Sequence, residues 1–172
     1  MTVILAAKAF GANKICSADL LQKRLDFASE IGADATVLVQ PDEDPESAAK
    51  RIIKAMGREP DITIECSGSP SATSTGIFAT RSRGMLLQIG FSLDSVSIPL
   101  VVATVKELDI RGNHSSLNSY PAAIEAISSG KVNVKQLVSH RFPLEESEQA
   151  FTVAANKEGY KVVIDCSRPG EV

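Results

Sequence analysis

One acidic residue stands where a nucleotide sugar could be held. Asp19 directly follows Lys14 to Ala18, a short stretch typical of a buried strand. An acid at the tip of such a strand, about 20 residues past the last glycine of a Gly-x-Gly-x-x-Gly turn, accepts the ribose hydroxyls of a dinucleotide. Counting back that far from Asp19 leads to a position just before Met1. We therefore expect a ribose acceptor whose glycine turn lies outside these residues. The alternative is an acid at the N-terminus of the next helix, where it interacts favourably with the helix dipole.

Two further loops occupy positions at which chemistry is common in sheets of parallel strands. Cys66-Ser67-Gly68 follows the predicted strand Asp61 to Cys66, and Gly90-Phe91 follows the predicted strand Met85 to Ile89. Ligands of such sheets bind beyond the carboxyl ends of the strands, where the strand order reverses. Both loops are therefore candidates for a ligand site, although Gly90 also has a plain interpretation as a turn glycine.

The elements that must position these loops alternate between helix and strand. Apolar residues at helical spacing predict helices that end at glycines, and short apolar stretches predict strands. The predicted helices are 2–10, 21–31, 46–56, about 70–80 and 120–128, and the predicted strands are 14–18, 36–39, 61–66, 85–89 and 108–111. This alternation predicts an α/β fold with a Rossmann-like, doubly wound parallel sheet. Its first, central strand and its Gly-x-Gly-x-x-Gly turn are missing from the sequence, so the strands near Lys14 and Asp61 should each lack a neighbour.

Composition excludes several classes of function. The chain has 172 residues, of which 44% are hydrophobic and 23% charged, as in ordinary globular domains. Its net charge is −3 and its 18 Lys and Arg residues are scattered, so we expect neither nucleic acid nor an anionic membrane as partner. Lys8 and Gly11 interrupt the one apolar stretch that could be taken for a membrane helix. The 3 cysteines form no close pair, which favours a reducing, cytoplasmic setting.

Several segments resemble a known family over nearly the whole chain. The first part resembles the coenzyme domain of medium-chain, zinc-dependent alcohol dehydrogenases, and later segments resemble the sorbitol dehydrogenase branch of that family. The segments are AKAFGANKICSADLLQKRLDFASEIGAD, DITIECSG, GIFATRSRGMLLQIGF, IPLVVATVKELDIRGN and NVKQLVSHRFPLEESEQAF. The resemblance implies NAD as cofactor, with binding that is weak or lost in this fragment, and a small polyol as substrate of the full-length family. It also implies a homo-oligomer of the tetramer type.

The same resemblance implies a role for individual residues. Asp19 would hold the adenosine ribose and repel a 2′-phosphate, which favours NAD over NADP. Arg24 would lie against the adenine, although it could equally be a solvated helix cation. The remaining positions would form two loops facing the cofactor: Ile89, Gly90 and Phe91 beside the nicotinamide, and Asn113, His114 and Ser115 in the next loop, near the substrate.

The implied reaction is zinc-assisted hydride transfer to NAD from a polyol or secondary alcohol, of the sorbitol-to-fructose type. In this family an N-terminal domain supplies the Cys, His and Glu ligands of the zinc, which polarises the alcohol. Neither His114 nor His140 has a Cys or an acid at ligand spacing, so we expect no metal site. We therefore expect residues 1–135 to be a truncated NAD-binding domain and residues 136–172 to return to a zinc domain. Such a fragment would be inactive alone.

One loop departs from the branch that the chain resembles. Sorbitol dehydrogenases carry an aromatic residue, an arginine and a tyrosine where this chain has His114, Ser115 and Ser116. Because serine cannot replace the charge or the reach of arginine, the individual polyol or alcohol stays open. Two other functions stay open as well. The chain could be a non-catalytic nucleotide-binding module, or an oligomerisation module that pairs with full-length subunits through Ser97 to Asp109, which resembles the family's association edge.

Overall fold

The computed structural model describes residues 1–91, 95–114 and 116–167. Its helices are α1 (Thr2–Ala9), α2 (Gln22–Glu30), α3 (Pro45–Met56), α4 (Pro70–Ala79), α5 (Leu100–Val105), α6 (Tyr120–Ser128) and α7 (Ser147–Ala155). Its strands are β1 (Cys16–Asp19), β2 (Ala35–Leu38), β3 (Ile62–Glu65), β4 (Met85–Gln88), β5 (Asp109–Gly112), β6 (Val138–Pro143) and β7 (Lys161–Asp165). The chain divides into two units, one of residues 12–120 and one of residues 1–11 and 121–172. The predicted alternation of helices and strands is confirmed. The sequence also predicts a boundary after residue 135, beyond which the chain would return to a zinc domain, and that boundary stays a prediction.

In the unit of residues 12–120, the described strands all pair in parallel. β1 pairs with β2, and Asp19 lies beside Leu38 at the last position of that pair. β4 lies between β3 and β5. The last residues of these three strands are in register, since Glu65 is paired with Gln88 and Gln88 with Gly112. The carboxyl ends of β3, β4 and β5 therefore meet at one edge, and each is followed by a loop.

The pairing follows the doubly wound order with its central strand left out. In the part of the chain that the structure describes, β1 has β2 as its neighbour, β3 has β4, and no ladder joins β1 to β3. These are the strands near Lys14 and Asp61 whose inner edges the sequence predicts to be unpaired. The predicted Rossmann-like α/β fold with parallel strands is confirmed.

Local sequence explains where the helices begin and end. At α3 the side chain of Asp44 accepts a hydrogen bond of 2.9 Å from the Ser47 amide, and Pro45 occupies the first turn. The same helix ends at Gly57, which has a φ of 77°. This left-handed conformation costs glycine little, so the predicted stop at this position is confirmed.

Apolar side chains of helices and strands form the core beside the candidate loops. Ile77 of α4 and Leu86 of β4 are both fully buried, and Ala103 of α5 joins them. Beside this core, the Thr80 hydroxyl donates to the Thr63 hydroxyl at 2.7 Å. The Gly76 carbonyl also lies 2.7 Å from the Thr80 hydroxyl, and the two contacts together satisfy a buried polar group at the end of α4. This packing fixes α4 against the strands whose ends carry the loops.

The other unit combines α1 with the C-terminal part of the chain. β6 and β7 pair in parallel, and α7 packs against both strands. Among the described residues of this unit, the buried apolar ones are Ile4, Leu5, Leu137, Phe142 and Ala150. Across the described ranges, every helix is too short or too polar to cross a membrane.

Candidate functional site

Asp19 is the last residue of β1 and its carboxylate has defined neighbours. Oδ1 accepts a hydrogen bond of 3.0 Å from the Leu21 amide, which holds the side chain at the turn before α2. Oδ2 lies 3.6 Å from Nη1 of Arg24. A carboxylate can accept about four hydrogen bonds, so Asp19 retains acceptor capacity for a sugar diol. The bond to Leu21 also holds the residue that precedes α2, but Asp19 lies outside the first turn of that helix, which contains no acidic residue.

Arg24 lies in the first turns of α2 and is directed back toward the end of β1. The side chains of Arg24 and Asp19 are 32% and 26% exposed. An ion pair with this much exposure stabilises a fold by less than about 1 kcal/mol. The pair therefore contributes little to folding, but it places a planar cation beside the candidate ribose acceptor.

Glu65 ends β3 and is the residue that sequence reasoning missed. It is 5% exposed, and its two carboxyl oxygens accept hydrogen bonds from four donors. The Ser67 amide donates at 2.7 Å and the Ser67 hydroxyl at 2.5 Å, while the Gly68 amide lies 2.9 Å from Oε2. Nε2 of Gln88 donates to the same Oε2 at 2.6 Å. Glu65 thus fixes the loop after its own strand and is bonded to the end of the next strand.

Gln88 extends this network to the neighbouring elements. Its Nε2 also donates to the Gly90 carbonyl at 3.0 Å, and its Oε1 accepts from the Thr73 hydroxyl of α4 at 3.2 Å. The backbone carbonyl of Gln88 accepts from the Asn113 amide at 3.0 Å, which adds the loop after β5. The available signal was two long polar residues, Glu65 and Gln88, each at the end of a strand whose other residues are apolar or β-branched.

The loops after β3 and β4 touch backbone to backbone. A Cβ at Gly90 would lie 2.1 Å from the Gly68 amide nitrogen and 2.6 Å from a Glu65 carboxyl oxygen. A Cβ at Gly68 would lie 1.8 Å from the Phe91 carbonyl oxygen, and Gly68 has a φ of +75°. Gly90 is therefore needed for a close approach between two loops, which the interpretation as a simple turn glycine leaves out.

A ring contact joins the loop after β4 to the loop after β5. The rings of Phe91 and His114 meet edge to face, with centroids 5.5 Å apart and an angle of 73° between their planes. Phe91 is 78% exposed, so the contact lies at the surface of the site. Ser115, the last predicted residue of this loop, lies outside the described residues.

The predicted site residues thus form two groups within residues 12–120. Asp19 lies beside Arg24, and Ile89 to Phe91 lie beside Asn113 and His114. The first group offers a fixed acceptor and a cation, which fit the adenosine half of NAD. The second offers loop backbone at the ends of parallel strands, where ligands of such sheets bind. The residues present therefore fit this cofactor.

Neither the histidines nor the acids form a metal centre in the described ranges. There, no group of three or more His, Cys, Asp and Glu residues could hold a metal ion. The second histidine, His140, has its Nδ1 3.0 Å from the Ser139 hydroxyl, and its ring stacks with Phe142 at a centroid distance of 6.2 Å. These contacts account for His140 as a structural residue of β6.

Comparison with known proteins gives a consistent result. The family model described as zinc-binding dehydrogenase matches residues 1–129. Sorbitol dehydrogenase of Mus musculus is 43% identical over 166 residues, which cover 96% of this chain and 46% of that protein. L-idonate 5-dehydrogenase from Escherichia coli K-12 has a TM-score of 0.79 at 28% identity, covering 95% of this chain and 46% of its own. Alcohol dehydrogenase from Thermus sp. ATN1 has a TM-score of 0.80 at 28% identity, and the match covers 92% of this chain and 46% of that protein. The chain spans about half the length of the relatives it matches.

Proposed function

The chain belongs to the zinc-binding dehydrogenase family, and from this we propose that it is the coenzyme-binding part of an NAD-dependent polyol or secondary-alcohol dehydrogenase. The observation that carries the proposal is the position of Asp19, whose Oδ1 is held by the Leu21 amide at the end of a parallel strand. A carboxylate fixed there accepts hydrogen bonds from the 2′- and 3′-hydroxyls of the adenosine ribose. Arg24 lies beside it and offers its guanidinium face to the adenine.

The charge of Asp19 supports NAD over NADP. A 2′-phosphate would place a second anion against this carboxylate, and like charges at hydrogen-bonding distance repel strongly. Arg24 does not relieve this repulsion, because its guanidinium already lies 3.6 Å from Asp19 Oδ2. NAD, with its free 2′-hydroxyl, is therefore the proposed cofactor.

The nicotinamide half is assigned to the loops after β4 and β5. The Ile89 and Gly90 amides both donate to the Glu65 carbonyl, at 2.8 and 3.0 Å, so this backbone is held firmly. The exposed ring of Phe91 and the neighbouring His114 flank the same surface. These groups would orient the nicotinamide ring and exclude water from one side of it.

The substrate is proposed to be a small polyol or secondary alcohol, as the name of the sorbitol dehydrogenase relative suggests for that protein. Zinc, when bound, would polarise the alcohol oxygen during hydride transfer. The described residues of this chain offer no group that could hold that metal. We therefore propose that the 172-residue chain alone does not turn over sorbitol.

We also propose that the chain acts in a reducing, cytoplasmic setting. Cys16, Cys66 and Cys166 are free thiols, which suits such a setting.

Titration of the purified chain with NADH tests the cofactor assignment. The reduced nicotinamide of NADH absorbs at longer wavelength than any aromatic side chain, so its fluorescence reports binding directly. We expect saturable binding of NADH and weaker binding of NADPH, with AMP competing for the adenosine half. Absence of binding by fluorescence and by calorimetry at millimolar NADH would contradict the proposal.

A second candidate function is association with other dehydrogenase subunits. Three apolar residues of α5 are largely exposed, namely Leu100, Val101 and Val105. An exposed apolar surface of this kind is typical of a protein interface. Co-purification with a tagged full-length dehydrogenase subunit tests this candidate, and a Val101→Glu variant should abolish recovery. Recovery of the parent chain at background level only would count against it.

A further inference from the structure

Glu65 is a buried acid for which the proposed function assigns no task. It lies at the carboxyl end of β3, one strand away from the loop assigned to the nicotinamide. All four of its donors belong to loops or strand ends: the Ser67 amide and hydroxyl, the Gly68 amide and Gln88 Nε2. Burying an acid costs free energy unless hydrogen bonds compensate for the lost water. Glu65 is 5% exposed, and its four donors supply this compensation.

The partners of Glu65 connect it to the loop at residues 89–91. Gln88 Nε2 bonds to Glu65 Oε2 at 2.6 Å and to the Gly90 carbonyl at 3.0 Å, so one amide group joins the acid to the loop. Gly90 also packs so closely that a Cβ there would lie 2.6 Å from the same Oε2. A shift of the Glu65 side chain would therefore displace Gly90, or break its link to Gln88.

The geometry points to Glu65 as a positioning residue that sets the loop at residues 89–91 for the nicotinamide half of NAD. This inference rests on the proposed function, since it assumes that the loop contacts the nicotinamide. Glu65 itself is buried beneath the loop and acts through Gln88 and Gly90. The adenosine half, assigned to Asp19 at the end of β1, lies outside this network.

The adenosine and nicotinamide halves of NAD are assigned to different strands, so the affinities for NADH and AMP can be compared. General destabilisation of the protein would lower both affinities together. In Glu65→Gln one carboxyl oxygen becomes an NH2 group, which faces a donor in either orientation, so the network that links Glu65 to Gln88 and the loop loses at least one hydrogen bond. We expect the affinity for NADH to fall about tenfold or more, because a hydrogen bond to a buried carboxylate is strong. The affinity for AMP, which contains the adenosine half alone, should stay within about twofold. Glu46→Gln, at an exposed acid of α3, is the matched control and should change neither affinity.

A variant of Gln88 tests the same link from its other side. A reciprocal exchange of the two residues would not serve, because a carboxylate at position 88 cannot donate to the Gly90 carbonyl. If Glu65→Gln fails to fold in a urea titration, Gln88→Met serves instead. That variant removes the link to the loop while Glu65 keeps its bonds to Ser67 and Gly68, and the same split between NADH and AMP is expected.

Amide hydrogen exchange of the 172-residue chain without any ligand completes the test. The Ile89 and Gly90 amides should exchange faster in the variant than in the parent chain. Equal losses for NADH and AMP, no loss for either, or unchanged exchange at residues 89–91 would overturn the inference. If the parent chain binds neither ligand, the proposed function fails, and the exchange data then show separately whether Glu65 holds the loop.

Discussion

Nη1 of Arg24 lies 3.6 Å from Oδ2 of Asp19, across the turn that joins β1 to α2. Replacing Asp19 with Asn removes the charge and keeps the shape. We expect NADH affinity to fall about tenfold, because hydrogen bonds from the ribose to a charged acceptor are lost. NADPH affinity should rise relative to NADH, since Arg24 is then available to a 2′-phosphate. Fluorescence titration with both nucleotides measures the ratio.

Asp26→Asn is the control for this change, because Asp26 is an exposed acid on α2 that is bonded to Gln22. It should leave both affinities within about twofold. Equal ratios of NADH to NADPH affinity in the parent chain and in Asp19→Asn would remove the ribose role of Asp19. Its interpretation as an acid at the start of α2 would then remain.

Gly90→Ala should destabilise the protein by about 1–3 kcal/mol, as overpacking of tight sites commonly does. The added Cβ would lie 2.1 Å from the Gly68 amide nitrogen, so backbone must move. Urea denaturation measures the free energy of unfolding. Gly112→Ala is the matched control, since nothing lies within 4 Å of a Cβ there, and its effect should stay within about 0.5 kcal/mol. Similar stability of the two variants would contradict the close approach of the loops.

Lys106→Met should destabilise the protein by about 1–3 kcal/mol, because two carbonyl groups at the end of α4, one of them in the buried residue Thr80, lose a donor. Nζ of Lys106 donates to the Phe78 carbonyl at 2.7 Å and to the Thr80 carbonyl at 2.6 Å. Lys50→Met is the control, since Lys50 forms an exposed ion pair with Glu46 along α3, and it should change stability by less than about 0.5 kcal/mol. Thermal unfolding followed by circular dichroism compares them, and equal melting temperatures would exclude this role of Lys106.

Stability should fall in acid partly through Glu43. Hydrogen bonds from Arg51 hold the pKa of Glu43 below its usual range, and the Gln40 amide lowers this pKa further. Because the folded pKa is depressed, the contribution is present above the ordinary carboxyl pKa of about 4.3 and is lost as the pH falls through the folded value. Urea midpoints measured from pH 6 to pH 2 should show this loss. Arg51→Met should make the decline shallower, and an unchanged slope would contradict the assignment.

The sequence predicted the elements better than the contacts between them. Periodicity and terminal glycines placed α3 and its stop at Gly57 within one residue, because these signals are local. Asp19 was predicted at a strand tip, and it is the last residue of β1. The network around Glu65 was not predicted, since its link to Gln88 depends on the register between β3 and β4. Register is a tertiary property that neither strand specifies alone.

The side-chain bond from Thr73 to Gln88 connects the loop at residues 89–91 to the interior of α4, where most side chains are buried. The loop is therefore ordered by the same packing that folds the domain, before any ligand arrives. A molecule that binds there meets a preorganised surface and incurs little conformational entropy loss in the protein. The affinity for a ligand at this end of the sheet is thus set by how well the ligand fits, because folding alone already fixes the loop.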